Sequence, residues 1–432
     1  MKIRSRGIGL KKTLGLFETS LYGIGIILGA GIYAIIGEGA GITGNSLWLS
    51  FIIAAFIASF TGLSYAELSS MFPKTAAEYV YTKKAFNKDS LSFLIGWIFI
   101  WAGVVSAATV SIAFAGYFSH LFGTEIIPVA IGLIISLSIL NFIGIKQSSR
   151  FNIISTIIEV SGLLIIIALG MNFIGSGNIN YFDMPNGLNG LITSAALIFF
   201  AFIGFEDIVN ISEETKNARS VIPRALLISL AVSTILYVLV SISAVSIMDW
   251  RQLATSKAPL TDVAVKAMGS EATLLLSFIA LFATGNTVLI MLIAVSRFLY
   301  GMAKNNTLPR FLSKIHSKRR TPYISIFVTM VSASFAVMLG NLKTVAELTN
   351  TGIFIIYFFV NASLIFLRFR KPYLRREFTS PINIGKFPVL AFLGAITCIG
   401  MLFYFNISVI LMETIIIAAG LVFYKLTREV LK

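Results

Sequence analysis

The chain has 432 residues, of which 57% are hydrophobic and only 12% are charged. A soluble domain is ordinarily about 25% charged, so the composition excludes a soluble fold and predicts an all-α membrane protein with the lipid bilayer as its partner. The net charge of +15 does not indicate a nucleic-acid partner, because the basic residues are spread over every loop on one side of the predicted membrane.

Twelve apolar stretches are long enough to cross a bilayer, which takes about 20 helical residues. They are predicted at residues 14–37, 47–71, 91–119, 126–144, 152–174, 190–210, 225–247, 272–300, 323–341, 346–367, 388–405 and 407–425. All 34 Lys and Arg residues except Arg251, Lys257, Lys266 and Lys343 then fall on one side. Short cytoplasmic loops are rich in Lys and Arg, so both termini are predicted to lie in the cytoplasm, with the chain in the cell membrane.

The first stretch contains a run of glycines, LYGIGIILGAGIYAIIG, at Leu21–Gly37. Each interior glycine costs a helix roughly 0.5–1 kcal/mol relative to alanine. A membrane segment leaves helical geometry only where it is buried in protein or lines a cavity. An interruption at Gly29-Ala30-Gly31 is therefore predicted to mark a site. The alternative is close helix packing through Gly25 and Gly29, which accounts for one helix face only.

The sixth stretch carries a second disturbance, FFAFIGFEDIVNISEE, in which Gly204 is followed by Glu206 and Asp207. The two disturbed stretches lie five spans apart, and an odd-numbered repeat inverts its successor in the membrane. Two discontinuous helices at corresponding positions of inverted halves are typical of the midplane binding site of a secondary transporter.

These observations predict a fold of two inverted five-helix repeats with discontinuous helices 1 and 6. The predicted units are a cytoplasmic N-terminal tail at residues 1–13, a first repeat at 14–175, an inverted second repeat at 190–370, and two further helices with a cytoplasmic tail at 386–432.

Four blocks of the sequence, in order along roughly the first 370 residues, resemble the amino acid, polyamine and organocation permeases. The blocks are GIGIILGAGIY, YAELSSMFPKTAAEYVYTKKAF, FFAFIGFEDIVNISEETKNARSVIPRAL and SRFLYGMAKNNTLPRFLSKIHSKRRTPY. The resemblance implies a LeuT-like fold of five plus five helices with two extra C-terminal helices. It also implies secondary transport of amino acids, without enzymatic activity or a cofactor.

The same resemblance implies a substrate site made largely of main-chain atoms at the two interruptions. The expected contacts are the substrate carboxylate with the N–H groups of Ala30, Gly31 and Ile32 beside Gly29, and the ammonium with carbonyls near Ile27, Phe200 and Ile203. A half-helix that begins in mid-membrane directs unpaired donors and a positive dipole end at an anion. Some members of the family carry a hydroxyl where this chain has Ala30, so one side-chain contact to the carboxylate is missing here.

Aromatic residues near the second interruption are candidates to cap the site. Phe200 corresponds to a bulky gate residue in members of the family, and Phe202 is a second candidate for the substrate site. Phe205 and Trp101 are weaker candidates, because packing in the core or against lipid accounts for them equally well. The chain has 36 phenylalanines, and they cannot all be gates.

The sixth stretch also places two carboxylates inside the predicted membrane. Placing an ionisable side chain inside the membrane costs free energy, and residues of this kind are usually functional. For Glu206, a role as gate or proton relay stands beside a role as helix cap, since the start of a half-helix is favourable for an anion. For Asp207 we favour the helix cap.

Glu159 is the candidate for ion coupling. Some proton-coupled members of the family have a lysine at this place, beside the first span, where sodium-coupled members of the fold hold an ion. Our hypothesis is that Glu159 takes up and releases the coupling proton; the alternative is a structural glutamate hydrogen-bonded to the first or eighth span. Sodium is the competing ion, because Thr284 and Thr287, with Asn286 between them, offer further oxygen ligands.

The sequence therefore predicts a secondary transporter of amino acids, proton-coupled and with a neutral or broad substrate range. The alternatives left open are a polyamine or other organic-amine permease, an exchanger, a sodium-coupled transporter, and a channel or membrane sensor. Neither a phosphate-binding loop nor a serine-hydrolase motif occurs, and the two histidines, His120 and His316, fall on opposite sides of the membrane. With Cys398 as the only cysteine, no internal disulfide can form.

Overall fold

The computed structural model describes residues 9–175, 179–256, 258–339 and 342–430, and these residues are mostly helical. Residues 1–8 of the predicted N-terminal tail and 431–432 of the C-terminal tail lie outside the described residues, as does Lys257. The α-helices in the described ranges are α1 (Leu16–Leu28), α2 (Ala30–Thr43), α3 (Leu47–Met71), α4 (Ala77–Phe86), α5 (Asp89–Phe122), α6 (Ile126–Ile143), α7 (Ile145–Met171), α8 (Gly187–Ile198), α9 (Asp207–Asn210), α10 (Ala218–Ile247), α11 (Trp250–Thr255), α12 (Pro259–Met268), α13 (Ala272–Lys304), α14 (Tyr323–Ala336), α15 (Leu342–Arg370), α16 (Val389–Leu402) and α17 (Ile407–Val430).

The helices are joined by short turns and one small hairpin. Strands β1 (Asn383–Ile384) and β2 (Phe387–Pro388) pair antiparallel between α15 and α16. Turns of 3-10 helix occur at Gly44–Ser46, Phe199–Phe202, Ser212–Glu214, Arg310–Ser313 and Val337–Leu339.

Within the described residues, 10 helical segments are long and apolar enough to cross a membrane. The predicted spans at 323–341 and 388–405 correspond to the shorter apolar helices α14 and α16. Large apolar side chains such as Phe56, Ile154 and Phe327 are exposed on the outer faces of the helices, as expected where lipid is the solvent. The chain is thus an all-α membrane protein, while the count of twelve spans and the inverted repeat stay predictions.

Helix α13 lies at the centre of the molecule and is buried along most of its length. It packs against α5 and α7, and α1 packs against α7, α10 and α13. Helix α17, in contrast, is mostly exposed along its span. The first span is therefore enclosed by other helices, which is the setting that an interrupted membrane helix requires.

The first span is interrupted at a single residue. Helix α1 ends at Leu28 and α2 begins at Ala30, with Gly29 between them at φ −44° and ψ −141°. The interruption is narrower than the predicted Gly29-Ala30-Gly31, because Ala30 and Gly31 form the first turn of α2. Close packing is also present: a Cβ added to Gly31 would lie 2.7 Å from the Cα of Ala201.

The sixth span is interrupted over a longer segment. Helix α8 ends at Ile198, a 3-10 turn follows at Phe199–Phe202, and Ile203 is extended. Gly204 has φ +116°, a backbone conformation that favours glycine. The helix resumes only with the four residues of α9. Both predicted discontinuities are therefore present in the backbone.

Buried ion pairs join helix ends on the side predicted to be cytoplasmic. Arg297 of α13 contacts Glu214, which follows α9, at 3.1 Å, and both side chains are almost fully buried. Glu67 of α3 accepts from Arg368 at 2.5 Å and from Arg376 at 3.0 Å. Removing one partner of such a pair leaves a buried charge uncompensated, so loss of any one of these side chains is expected to weaken the contacts between these helix ends.

Candidate functional site

Two small cavities lie against the interruptions. The first has about 10 Å³ of space for the centres of water molecules, which is about what a single water needs. Its lining consists of Ile26, Ile27, Ala30, Gly31, Val110, Phe200, Ile203, Thr287 and Met291. Of the predicted substrate-site residues, Ile27, Ala30, Gly31, Phe200 and Ile203 line this cavity, and Gly29, Ile32, Phe202 and Glu206 do not. The space is too small for an amino acid, so this conformation is closed around it.

The second cavity is a direct neighbour of the first, since Ile203 and Met291 line both. It has about 30 Å³ for water centres and is lined by both Glu206 and Asp207. The remaining lining comes from α5, α13 and α15 and includes the hydroxyl residues Ser106 and Thr349. Both cavities are mainly apolar; the first has Thr287 as its polar side chain, whereas the second also has two carboxyl groups in its lining.

The main-chain N–H of Ala30, predicted to contact the substrate carboxylate, already has a partner. It donates to the hydroxyl oxygen of Thr287 on α13 over 3.1 Å. Thr287 in turn donates to the carbonyl of Ala283 at 3.0 Å. Gly31 and Ile32 lie in the first turn of α2, where N–H groups have no acceptor within the helix. A carboxylate that takes up all three donors would therefore displace Thr287 from Ala30.

Tyr237 of α10 connects the two interruptions. Its hydroxyl contacts the carbonyl oxygen of Ile27, near the end of α1, and the carbonyl oxygen of Ala201 in the 3-10 turn, the latter at 2.8 Å. A tyrosine hydroxyl has one hydrogen to donate, so it serves these two acceptors in turn. The predicted ammonium acceptor Ile27 is thus paired with a side chain in the closed state, and Tyr237 positions both half-helices.

Glu206 stabilises the turn of the sixth span. Its Oε2 accepts from the N–H of Gly204 at 2.9 Å and from the hydroxyl of Tyr357 at 2.5 Å. The carboxylate is buried and also lines the second cavity. The side chain makes no hydrogen bond that caps α9, so its contacts hold the turn before the half-helix rather than the helix end predicted for a cap, and its position at the cavity leaves it available to a substrate. Asp207 lines the same cavity at the start of α9.

The aromatic candidates separate into two groups. Phe200 lines the first cavity and is buried, which is the position expected of a gate. Phe202 instead packs against Tyr237, with ring centroids 5.2 Å apart. Phe205 packs against Tyr65 and Tyr357, at 5.8 Å and 5.2 Å. Neither Phe202 nor Phe205 lines the cavities described above, and nor does Trp101.

Glu159 lies in a buried polar cluster between α7, α13 and α1. Its Oε1 accepts from the amide of Asn286 at 3.1 Å, and its Oε2 has no hydrogen-bond partner among the described residues. Asn286 also accepts from Asn152 at 3.1 Å. The hydroxyl of Thr156 reaches the carbonyl of Leu21 in α1 at 3.4 Å. The predicted coupling residue is therefore connected to the first span through its neighbours.

The two threonines predicted to share this ion site have other partners. Thr284 donates to the carbonyl of Ala280 in its own helix at 2.7 Å, and Thr287 caps the first interruption. The residue of α13 that contacts Glu159 is Asn286 instead. No group of three His, Cys, Asp or Glu residues that could hold a metal occurs in the part of the chain that the structure describes.

Tyr237, Tyr357 and Met291 were not among the residues predicted for the site. A membrane-buried tyrosine usually has a hydrogen-bond partner, and this rule marks Tyr237 and Tyr357 as candidates without identifying their partners. For Met291 no sequence signal exists, because one apolar residue in an apolar helix looks like any other.

An all-α multi-pass membrane protein with two helices interrupted in its interior, and with residues of both interruptions lining one cavity, has the construction of a transporter. The comparisons with known proteins agree. The model of the amino acid permease family matches residues 14–423. The chain belongs to this family, within the superfamily of amino acid, polyamine and organocation permeases, and is a transporter rather than an enzyme.

Characterised relatives match over nearly the whole chain. The branched-chain amino acid permease of Bacillus subtilis is 31% identical, over 96% of this chain and 92% of that protein. The methylthioribose transporter of the same organism is 29% identical, over 99% and 96%. The cationic amino acid transporter 1 of Arabidopsis thaliana is 29% identical, over 92% of this chain and 68% of that protein. These relatives differ in their named substrates.

Proposed function

We propose that the protein is a proton-coupled secondary transporter of neutral, apolar amino acids across the cell membrane. The observation that carries this proposal is the first cavity, where the N-terminus of α2 meets the apolar side chains of Ile26, Val110 and Met291. A helix N-terminus suits a carboxylate, and an apolar lining suits an aliphatic side chain. The named substrate of the 31% identical relative, a branched-chain amino acid, is of this kind.

Proton coupling is assigned to Glu159. The carboxyl is fully buried, one of its oxygens has no partner within the described ranges, and burial disfavours the charged form of such a group. It is linked to α1 through Asn286 and Thr156. Movement of α1 during transport would change its access to water, so that proton uptake and release follow the cycle. In a sodium-coupled transporter the same carboxylate would be a ligand of the ion.

A second candidate function is the transport of cationic amino acids or other organic amines. It is favoured by Glu206 and Asp207, which line the second cavity directly beside the first. A long basic side chain that extends past Ile203 would meet both carboxylates. Amines without a carboxylate would bind in the second cavity alone.

Competition against labelled isoleucine, with the protein reconstituted in liposomes, tests the proposal. Isoleucine and leucine are expected to compete, whereas isoleucine amide, arginine and spermidine are not. Effective competition by the amide would show that the substrate carboxylate is not recognised. Competition by arginine that disappears in the double variant Glu206→Gln, Asp207→Asn would favour the cationic candidate. Asp183→Asn, which changes an exposed carboxylate of the loop before α8, is the matched control.

A further inference from the structure

Glu78 is a buried carboxyl that neither the proposed substrate site nor the proposed coupling site uses. It lies on α4, a short helix outside the membrane spans on the side predicted to be cytoplasmic. The residue is completely buried. Its Oε2 accepts a long hydrogen bond of 3.4 Å from the amide of Asn210. Its Oε1 has no hydrogen-bond partner, and no cation pairs with it, among the described residues.

Asn210 joins α4 to the interrupted sixth span. It is the last residue of α9, and its Oδ1 accepts from the N–H of Ala77 at 3.0 Å, while its Nδ2 donates to Glu78. One side-chain amide thus clamps the second half of the sixth span onto α4. We call the contact between Asn210 and the residues Ala77 and Glu78 the cytoplasmic clamp.

The groups that face Glu78 are tyrosines and carboxyls. The tyrosines are Tyr65 on α3, which lies beside the carboxyl, and Tyr81 on α4; neither hydroxyl has a hydrogen-bond partner among the described residues. The sixth span contributes Glu206 and Asp207. Burial raises the pKa of Glu78 to about 8, the charge of Glu206 adds to this effect, and hydrogen bonds to Glu78 partly oppose it.

The other helices packed against α4 bring no charge that compensates Glu78. From α15 comes Tyr357, whose hydroxyl is bound to Glu206. From α5 comes Asp89, which is exposed and pairs with Lys83 of α4 at 3.3 Å. An ionised Glu78 would therefore be an uncompensated buried charge while the clamp is closed.

We propose that Glu78 is a proton-binding residue of the cytoplasmic gate, which holds its proton while the clamp is closed and releases it to cytoplasmic water when α9 leaves α4. The proposal rests on the proposed transport function, because only a transporter must open this path. In the step the O–H bond of the carboxyl breaks and the proton passes to water. The carboxylate that remains is hydrated in the open gate.

The sign of the pH dependence follows from linkage. The closed state binds the proton with the raised pKa of about 8, and the open state, with water at the carboxyl, binds it with an ordinary pKa near 4.3. Between these values the open state carries one proton fewer, so opening increases with pH by up to about tenfold per pH unit. Above the closed-state pKa both states are ionised and the dependence ends.

Opening of the gate is measured on the purified full-length chain in nanodiscs, as the rate at which one introduced cysteine reacts with a polar thiol reagent. The reporter is Ser212→Cys, two residues beyond the end of α9 and buried in this structure, in a Cys398→Ser background. Its labelling rate is divided by the rate of the same reporter carrying Glu78→Gln, which cancels the ionisation of the thiol itself. The ratio is expected to rise by up to about tenfold per pH unit between pH 6 and pH 8 and to level off above pH 8. Asp89→Asn, which changes an exposed carboxylate beside α4, is the control. When it is added to both proteins, the ratio is expected to depend on pH as it does without it.

A ratio that stays flat from pH 6 to pH 9 would overturn the proposal. Isoleucine exchange at equal pH on both sides gives an independent reading if the reporter variant does not fold: the pH profile of Glu78→Gln should be flatter than that of the native chain. Equal pH profiles, with exchange present in both proteins, would reject the role of Glu78 and leave the transport function standing. Absence of exchange of any amino acid by the native chain would instead reject the proposed function.

Discussion

The hydroxyl oxygen of Thr287 accepts the main-chain N–H of Ala30 over 3.1 Å, across the gap between α13 and the start of α2. A side chain of the eighth span thus occupies a donor that an amino acid carboxylate is expected to use. If the carboxylate binds as proposed, it competes with Thr287 for the same N–H group. This relationship makes the first interruption testable by substitution.

Thr287→Val removes the acceptor and keeps the shape of the side chain. The N–H of Ala30 is then buried without a partner in the substrate-free protein, which costs about 1–3 kcal/mol. We expect a lower melting temperature of the substrate-free protein in detergent, and a larger stabilisation by added isoleucine than in the native chain. Thr287→Ser retains the oxygen and is the control. A valine variant that melts like the native protein would show that the contact has no energetic role.

Tyr237→Phe tests the connection between the two interruptions. The variant leaves the carbonyls of Ile27 and Ala201 without the hydroxyl that they share, and we expect isoleucine exchange to fall by about tenfold or more, since an unpaired buried acceptor costs about 1–3 kcal/mol. Tyr22→Phe is the matched control, because the buried hydroxyl of Tyr22 has no hydrogen-bond partner in the part of the chain that the structure describes. Equal losses in the two variants would remove the special role of Tyr237.

Gly31→Val is expected to insert and fold but to lose substrate binding. The first added carbon would lie 2.7 Å from the Cα of Ala201, a distance that backbone atoms do not tolerate, so the two interruptions must separate. Gly116→Ala on α5 is the control, because no atom lies within 4 Å of the added carbon there. Binding of labelled isoleucine to the purified protein is the measurement. Native affinity in Gly31→Val would contradict the assignment of the site.

Glu159→Gln tests proton coupling. The amide mimics the neutral carboxyl permanently, so the variant is expected to lose isoleucine accumulation driven by a pH gradient and to keep exchange at equal pH. Glu125→Gln, an exposed residue before α6, should behave like the native protein. The proton assignment fails if Glu159→Gln still concentrates isoleucine on a pH gradient, or if the native chain requires sodium.

The predicted topology places both termini in the cytoplasm. Cysteines introduced in terminal tags, in a Cys398→Ser background, should react with an impermeant thiol reagent only after the cell membrane is opened. Labelling of either tag in intact cells would contradict the orientation inferred from the basic residues. It would also contradict the inverted relation of the two interrupted spans.

Much of the architecture was predictable because its signals are local. Apolar length marked the spans, a run of glycines marked the interruption at Gly29, and a glycine followed by two carboxylates marked that at Gly204. The partners of these segments were not predictable, since they come from distant parts of the chain. The hydrogen bonds of Thr287 with Ala30 and of Asn286 with Glu159 form only because one particular face of α13 is turned towards α1 and α7. An almost uniformly apolar helix does not show its orientation in its sequence.

The width of the first interruption was also not predictable from composition. Gly31 looked like part of the unwound segment, yet it is helical, and its lack of a side chain serves the approach of Ala201. Glycine permits both unusual backbone geometry and close contact, and the residue type alone does not tell which of the two is used.

The central claim is that the interrupted spans form the substrate site of an amino acid transporter. Counterflow measures this most directly: liposomes containing the protein are loaded with unlabelled isoleucine, and the entry of external labelled isoleucine is followed. The account predicts that internal isoleucine accelerates entry and that Gly31→Val abolishes the acceleration. Entry at the same rate with and without internal substrate, for isoleucine and for every other amino acid tested, would contradict it.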